Sequence, residues 1–219
     1  MLGYLQNLAQ ALDVESLLDA LLRVAAVLLC LTVHEVSHGF AAYRLGDPTA
    51  KSEHRLSLNP LRHIDWLGLL MMFFAGFGWA KPVPVDFRYL KNPKKGMAFT
   101  ALAGPVSNLL LAVFAIGVSK VIYLYAPYYH ALDVLFVFLL YILAPLSVGL
   151  GLFNLLPIPP LDGSKVLAVF LPDRAYLTLM YYERYGIMLL LALSYFGITG
   201  NLISGAIRGV YLGLVGLFY

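Results

Sequence analysis

Charge is scarce in this chain, and so is cysteine. Asp, Glu, Lys and Arg make up 12% of the 219 residues, against roughly 25% in a soluble globular domain. Cys30 is the single cysteine, which excludes an intramolecular disulfide framework and a cysteine-rich zinc module. With 61% hydrophobic residues and a mean hydropathy of +0.80, the composition excludes a soluble domain. The longest polar stretch, Arg44–Asp65, is too short to fold as a separate unit. A net charge of +3 is mild and sits in loops, so it bears on membrane topology and gives no reason to expect nucleic acid as a partner. The chain also lacks internal repeats and low-complexity tracts. Met1–Asp19 has no basic region of the secretory type and carries Asp13, Glu15 and Asp19. It reads as an amphipathic segment (1–19) on the membrane surface rather than a signal peptide.

What is present is a series of apolar runs of spanning length. The first covers about Leu21–Tyr43, the second about Met97–Tyr123 and the third about Val134–Leu156. Between the first two, "WLGLLMMFFAGFGWA" (66–80) is too short to span comfortably and runs into "KPVPVDFRYLKNPKKG" (81–96). Pro82 and Pro84 disfavour a helix there, and the Val83/Val85 alternation favours a strand. A half-span or β-hairpin that returns to its own side fits these lengths. Tyr185–Ile198 and Leu202–Phe218 form a final helical hairpin (185–219). The expected fold is an all-α polytopic membrane protein of about five to six membrane helices with a membrane-inserted half-span. Lys and Arg number four in 44–62, five in 81–95 and three in 165–184, but one in the opposing 120–133 loop. The positive-inside rule therefore puts the first three segments on the cytoplasmic side.

The chemistry is concentrated in "LTVHEVSHGF" (31–40). His34, Glu35 and His38 form H-E-x-x-H inside the first span. On a helix, residues four apart share a face, so His34 and His38 suit two nitrogens on one tetrahedral metal. Glu35 is offset by one position and suits a general base. Ionisable groups within a span are costly and usually functional. A catalytic zinc takes three protein ligands, and the candidate for the third is Asp162 in "PPLDG". There prolines break the helix and Gly163 permits a tight turn on the same side as the histidines. The alternative for Asp162 is a cap on the helix that begins beside it.

H34-E-V-S-H38, G104-P-V-S-N108 and N154-L-L-P-I-P-P-L-D162-G together resemble the site-2 proteases, a family of intramembrane zinc metalloproteases. "GFGWAKPVPV" (76–85) resembles that family's membrane-inserted hairpin. The resemblance runs from about Leu21 to Lys165 and marks residues 21–165 as a catalytic core within a single domain, 1–219. It implies Zn2+ held by His34, His38 and Asp162, with Glu35 as general base. It also places Asn154 in the active-site motif and Gly104 with Asn108 in a G-x-x-x-N element. The chain resembles the minimal-core branch, without a PDZ-like or nucleotide-sensing domain. The implied activity is endoproteolysis of a transmembrane protein substrate within the lipid bilayer of a prokaryotic cell membrane, with the active site towards the cytoplasm.

The supporting residues have both functional and structural readings. The amides of Asn108 and Asn154 can donate to a developing oxyanion or orient substrate, or they can bond between helices. Gly104 can contact substrate or act as a close-packing notch. The edge at Val83, Pro84 and Val85 can take an unwound substrate as an added strand, or the hairpin can plug the zinc cavity. Cys30 lies one turn before His34 and reads as a small buried thiol. His54, His63 and Asp65 read as solvated loop residues, with support of the site or a gate that blocks the zinc as the alternatives. His130 reads as surface. Gly205, Gly209 and Gly213 recur every fourth residue and suit close helix contact, within the chain or between copies of a homo-oligomer. The competing function is a zinc-binding membrane transporter or sensor. Transporters typically carry inverted repeats and several polar groups along a path, whereas this chain has one clustered site.

Overall fold

The structure of the chain, a computed structural model, describes residues 14–75, 81–126 and 130–219. Among them every regular element is helical. Helix α1 (Val14–Arg44) carries the H-E-x-x-H motif. After a single helical turn at Thr49–Ser52 comes α2 (Trp66–Ala75). Asp65 starts α2 by accepting from Gly68 N at 2.9 Å. Helix α3 (Pro93–Tyr125) is the longest. Its start follows from Asn92, whose side chain accepts from Lys95 N at 3.1 Å, and from Pro93, whose missing N–H is harmless in a first turn. A third rod is built from α4 (His130–Val137), a π-helical stretch (Phe138–Leu143) and α5 (Ala144–Asn154). Pro145 cannot donate to the preceding turn and crowds it, and the wider π geometry immediately before it accommodates that loss. Helices α6 (Asp162–Ala168), α7 (Asp173–Tyr182), α8 (Gly186–Tyr195) and α9 (Ile198–Phe218) complete the chain.

Among the described residues three stretches are long and apolar enough to cross a membrane: Leu17–Arg44, Pro93–Tyr125 and Leu132–Asn154. The chain is an integral membrane protein by these helices. The expected count of five to six spans is not established by these helices; Ile203–Phe218 of α9 is a further, shorter apolar stretch among the described residues. Residues 1–13 of the expected surface segment lie outside the described residues, and α1 already runs from Val14. The expected half-span falls partly on residues 76–80, which also lie outside them. Residues 81–86 form no ladder, so the strand expected at Val83–Val85 is corrected to irregular chain. Two prolines in four residues account for this, since each removes a donor that a strand needs.

Helix α3 is the centre of the bundle: α1, α5 and α6 pack against it. Small residues allow the close approach, with Ala26, Ala112, Ala115 and Ala144 fully buried beside Ile116 and Val148. The carbonyl of Pro105 would stand 3.0 Å from a Cβ placed on Gly151, so α3 and α5 nearly touch through their backbones. Cys30 belongs to this apolar core. Outward faces carry Leu21, Val24, Leu110 and Phe114 in exposed positions, as suits helices whose solvent is lipid. A Cβ placed on Gly205, Gly209 or Gly213 would meet nothing within 4 Å, so the close contact expected of them within the chain does not occur among the described residues.

Candidate active site

His34 and His38 project one turn apart from α1, and Asp162 reaches them from the first turn of α6. His34 Nε2 lies 3.0 Å from His38 Nε2 and 3.1 Å from Asp162 Oδ2, and His38 Nε2 lies 3.3 Å from the same oxygen. Four-coordinate zinc with bonds of about 2.0–2.1 Å separates its ligand atoms by about 3.3–3.4 Å. The observed triangle is therefore close to that of a metal's ligand shell, slightly contracted. Among the described residues this is the group of His, Cys, Asp and Glu whose donor atoms converge. The donor set of two imidazoles and one carboxylate fits zinc. Burial alone would push the Asp162 carboxyl up, but hydrogen bonds with His34 and His38 outweigh it and hold the group well below the usual carboxylate range.

Two glycines close the loop that carries Asp162. Leu155 O would stand 2.1 Å from a Cβ on Gly163, and Pro159 O would stand 2.3 Å from one on Gly186. Both positions therefore admit glycine alone without backbone movement. Lys165 pairs with Glu183 at 3.3 Å, a second tie between α6 and the turn leading into α8.

Glu35, beside the metal triangle, accepts a hydrogen bond from Val83 N at 2.9 Å. It shares a cavity of about 330 Å³ with His34, His38, Val85, Asn154 and Asp162. The segment that supplies Val83 is fastened along its length. Lys81 N donates to His63 O at 2.8 Å, and Arg55 Nη2 donates to Lys81 O at 2.7 Å and to Pro82 O at 3.2 Å. At the far end Asp86 N donates to Asp47 Oδ2 at 2.7 Å. Asp47 is fully buried, and its other oxygen accepts from Thr49 N at 2.9 Å. The strand expectation treats the Val83 N–H as open to substrate, whereas it is already bonded to Glu35. Pro82 and Pro84 have no N–H, so the Val85 N–H is the donor that residues 82–85 retain.

The remaining candidates separate clearly. Asn154 lines the cavity and donates one N–H of its amide to Leu150 O at 3.0 Å. Asn108 and Gly104 do not line it. Asn108 is fully buried behind His34, its Nδ2 3.1 Å from His34 Nδ1. A Cβ on Gly104 would lie 2.5 Å from His38 Nε2 and 2.7 Å from His34 Cε1, so this glycine is the floor beneath both rings. His63, expected as solvated, is instead buried and bonds Ser57 O at 2.7 Å, and Asp65 caps α2, so both shape the loop rather than the metal site. His54 holds a positive φ of 55°, and its carbonyl accepts from Arg62 Nη1 at 2.7 Å. The His130 side chain lies outside the described residues. Sequence reasoning misses Asp47 and Arg55. "GDPT" is a turn signal that marks Asp47 as a local cap, but nothing local connects it to Asp86.

Comparison with known proteins places this geometry. The model of peptidase family M50 matches residues 118–193. A Bacillus subtilis protein named as a zinc metalloprotease, YwhC, is 38% identical over 175 residues, covering 78% of each chain. Proteins named as the zinc metalloprotease Rip2 are similar as well. The one from Mycolicibacterium smegmatis is 29% identical over 79% of this chain and 66% of its own length. The one from Mycobacterium tuberculosis H37Rv is 31% identical over 78% of this chain and 65% of its own. No solved structure matches. With a convergent His–His–Asp triangle beside a glutamate in a membrane-spanning bundle, and relatives of this kind, the chain belongs to the site-2 protease family of zinc metalloproteases, peptidase family M50.

Proposed function

We propose that this metalloprotease is an intramembrane endopeptidase that hydrolyses a peptide bond in or near a transmembrane segment of a protein substrate. One observation carries the reading: the general base and the backbone of an irregular segment beside the metal triangle are joined by a single hydrogen bond, Val83 N to Glu35, inside one cavity. His34, His38 and Asp162 would hold zinc, which when bound supplies Lewis acidity towards water and a carbonyl. Glu35 takes a proton from the attacking water and returns it to the departing amide nitrogen, so the C–N bond breaks as a C–O bond forms. The Val83 N–H keeps the carboxylate aimed during both transfers. Asn154, at the cavity wall, has a second amide N–H to offer the substrate carbonyl. Val85 is the point at which an unwound substrate backbone bonds to the enzyme.

Substrate enters from lipid and water from the cytoplasm. The basic segments 44–62 and 81–95 support that side as cytoplasmic, and the bacterial relatives support a bacterial cell membrane. A transporter or sensor gains nothing from a glutamate poised beside the metal, which transport does not need. The test is a single-span reporter protein co-expressed with wild-type chain or with Glu35→Gln. Membrane-released fragments should appear with the wild type alone. Equal fragment yield from both would refute the proposal.

A further inference from the structure

An imidazole that gives its Nε2 lone pair to a metal carries its proton on Nδ1, and that proton needs an acceptor. His38 meets this requirement plainly: its Nδ1 lies 2.7 Å from Thr100 O, a carbonyl that only accepts. His34 presents the opposite picture. Its Nδ1 faces Asn108 Nδ2 at 3.1 Å, an amide nitrogen that only donates, while Asn108 Oδ1 is buried with no partner. In that arrangement His34 would carry its proton on Nε2, pointing at Asp162, and could not be a ligand. A half-turn of the amide resolves both difficulties, because its two ends are alike in shape. Oδ1 then accepts from His34 Nδ1–H, and the orphaned acceptor is satisfied.

We infer that Asn108 is a positioning residue for the metal site: its Oδ1 accepts from His34 Nδ1–H and so fixes the tautomer that frees Nε2 for zinc. The inference rests on the zinc-protease reading. Asn108 is well placed for this task and badly placed for contact with substrate. It is fully buried and absent from the cavity wall, and its own carbonyl accepts from Ser147 Oγ of α5 at 2.7 Å. Gly104, one turn earlier on α3, gives the two rings room to stand where they do. The G-x-x-x-N spacing thus reads as one unit, in which the glycine admits the rings and the asparagine sets the proton on one of them.

The test uses the full chain purified in detergent, with zinc affinity measured by competition with a chromogenic chelator. Removing an outer partner of a metal-bound histidine typically weakens metal binding about 10–100-fold. Asn108→Ala should show that loss. Asn108→Asp keeps the acceptor and should bind zinc at least as tightly as wild type. Metal-free melting temperatures separate a folding defect from a metal defect. Should the alanine variant fail to fold, Asn108→Asp alone decides: a folded Asp variant that has lost zinc affinity tenfold overturns the inference. Wild-type zinc affinity in a folded Asn108→Ala also overturns it, and with a lower turnover would restore Asn108 to the oxyanion. These affinities are read without proteolysis, so a chain that cleaved nothing would refute the endopeptidase reading and leave this inference standing.

Discussion

Replacing Gly104 by alanine adds one methyl group and should empty the metal site. The new Cβ would stand 2.5 Å from His38 Cε1 and Nε2, and 2.7 Å from His34 Cε1, where ordinary contact begins at 3.4 Å. The rings would have to retreat by about 0.7–0.9 Å, the difference between those distances, whereas metal–ligand distances tolerate about 0.2 Å. His38 cannot retreat freely, because its Nδ1 is tied to Thr100 O at 2.7 Å. Two opposing effects act on the metal-free protein. Alanine favours helix over glycine by about 1 kcal/mol, and overpacking costs about 1–3 kcal/mol. Metal-free stability should therefore fall by about 0–2 kcal/mol, while zinc affinity should fall at least 100-fold, about 2.7 kcal/mol. Zinc content by elemental analysis, melting with and without zinc, and reporter cleavage are the assays. A Gly104→Ala protein that holds zinc at wild-type affinity would show that the rings do not rest on this glycine.

Glu35→Gln should keep zinc at unit stoichiometry and lose cleavage by about 10²-fold or more, since glutamine still accepts from Val83 N but takes no proton; zinc loss in that variant would make Glu35 a ligand. Asp162→Ala should lose both zinc and activity. Asp65→Ala should retain the metal and lose about 0.5–2 kcal/mol of stability as a helix cap; the reverse pattern would move the third ligand to the 54–65 loop. Val85→Pro should bind zinc normally but cleave poorly, as measured by reporter cleavage at saturating zinc, and full activity would sink the role of residues 82–85 in holding substrate. Val83→Pro is a different experiment, because it strips the base of its donor.

The group that could hold the metal is legible in the sequence: His34 and His38 share a helical face by local periodicity, and Asp162, which the structure brings to them, comes after a run of prolines that must end a helix. The spanning helices are legible from the lengths of their apolar runs. What escapes the sequence depends on chain segments far apart. Nothing near Asp47 announces that its second oxygen meets the N–H of Asp86, and Arg55 looks like any loop arginine until it is found holding Lys81 and Pro82. Gly104 and Asn108 stand out by their spacing, but spacing along α3 does not say which neighbour lies opposite. The strand at Val83–Val85 over-reads an alternation, for the prolines that create the alternation also remove the donors a ladder requires.

That scarcity of donors bears on which substrates the enzyme can tell apart. On the proposed reading, a guest chain laid along residues 82–85 would meet one N–H, at Val85, in place of the repeating donors by which a sheet edge sets register. With so few donors on the enzyme's side, neighbouring peptide bonds would slide past the metal with less change in enthalpy than along a full sheet edge. Choice of the scissile bond then passes to the substrate itself, to wherever its helix unwinds most easily, at a glycine, a proline or a polar residue near the membrane surface. Such an enzyme would read helical weakness rather than a residue code, and fragments from one substrate would carry ragged ends spread over several adjacent positions.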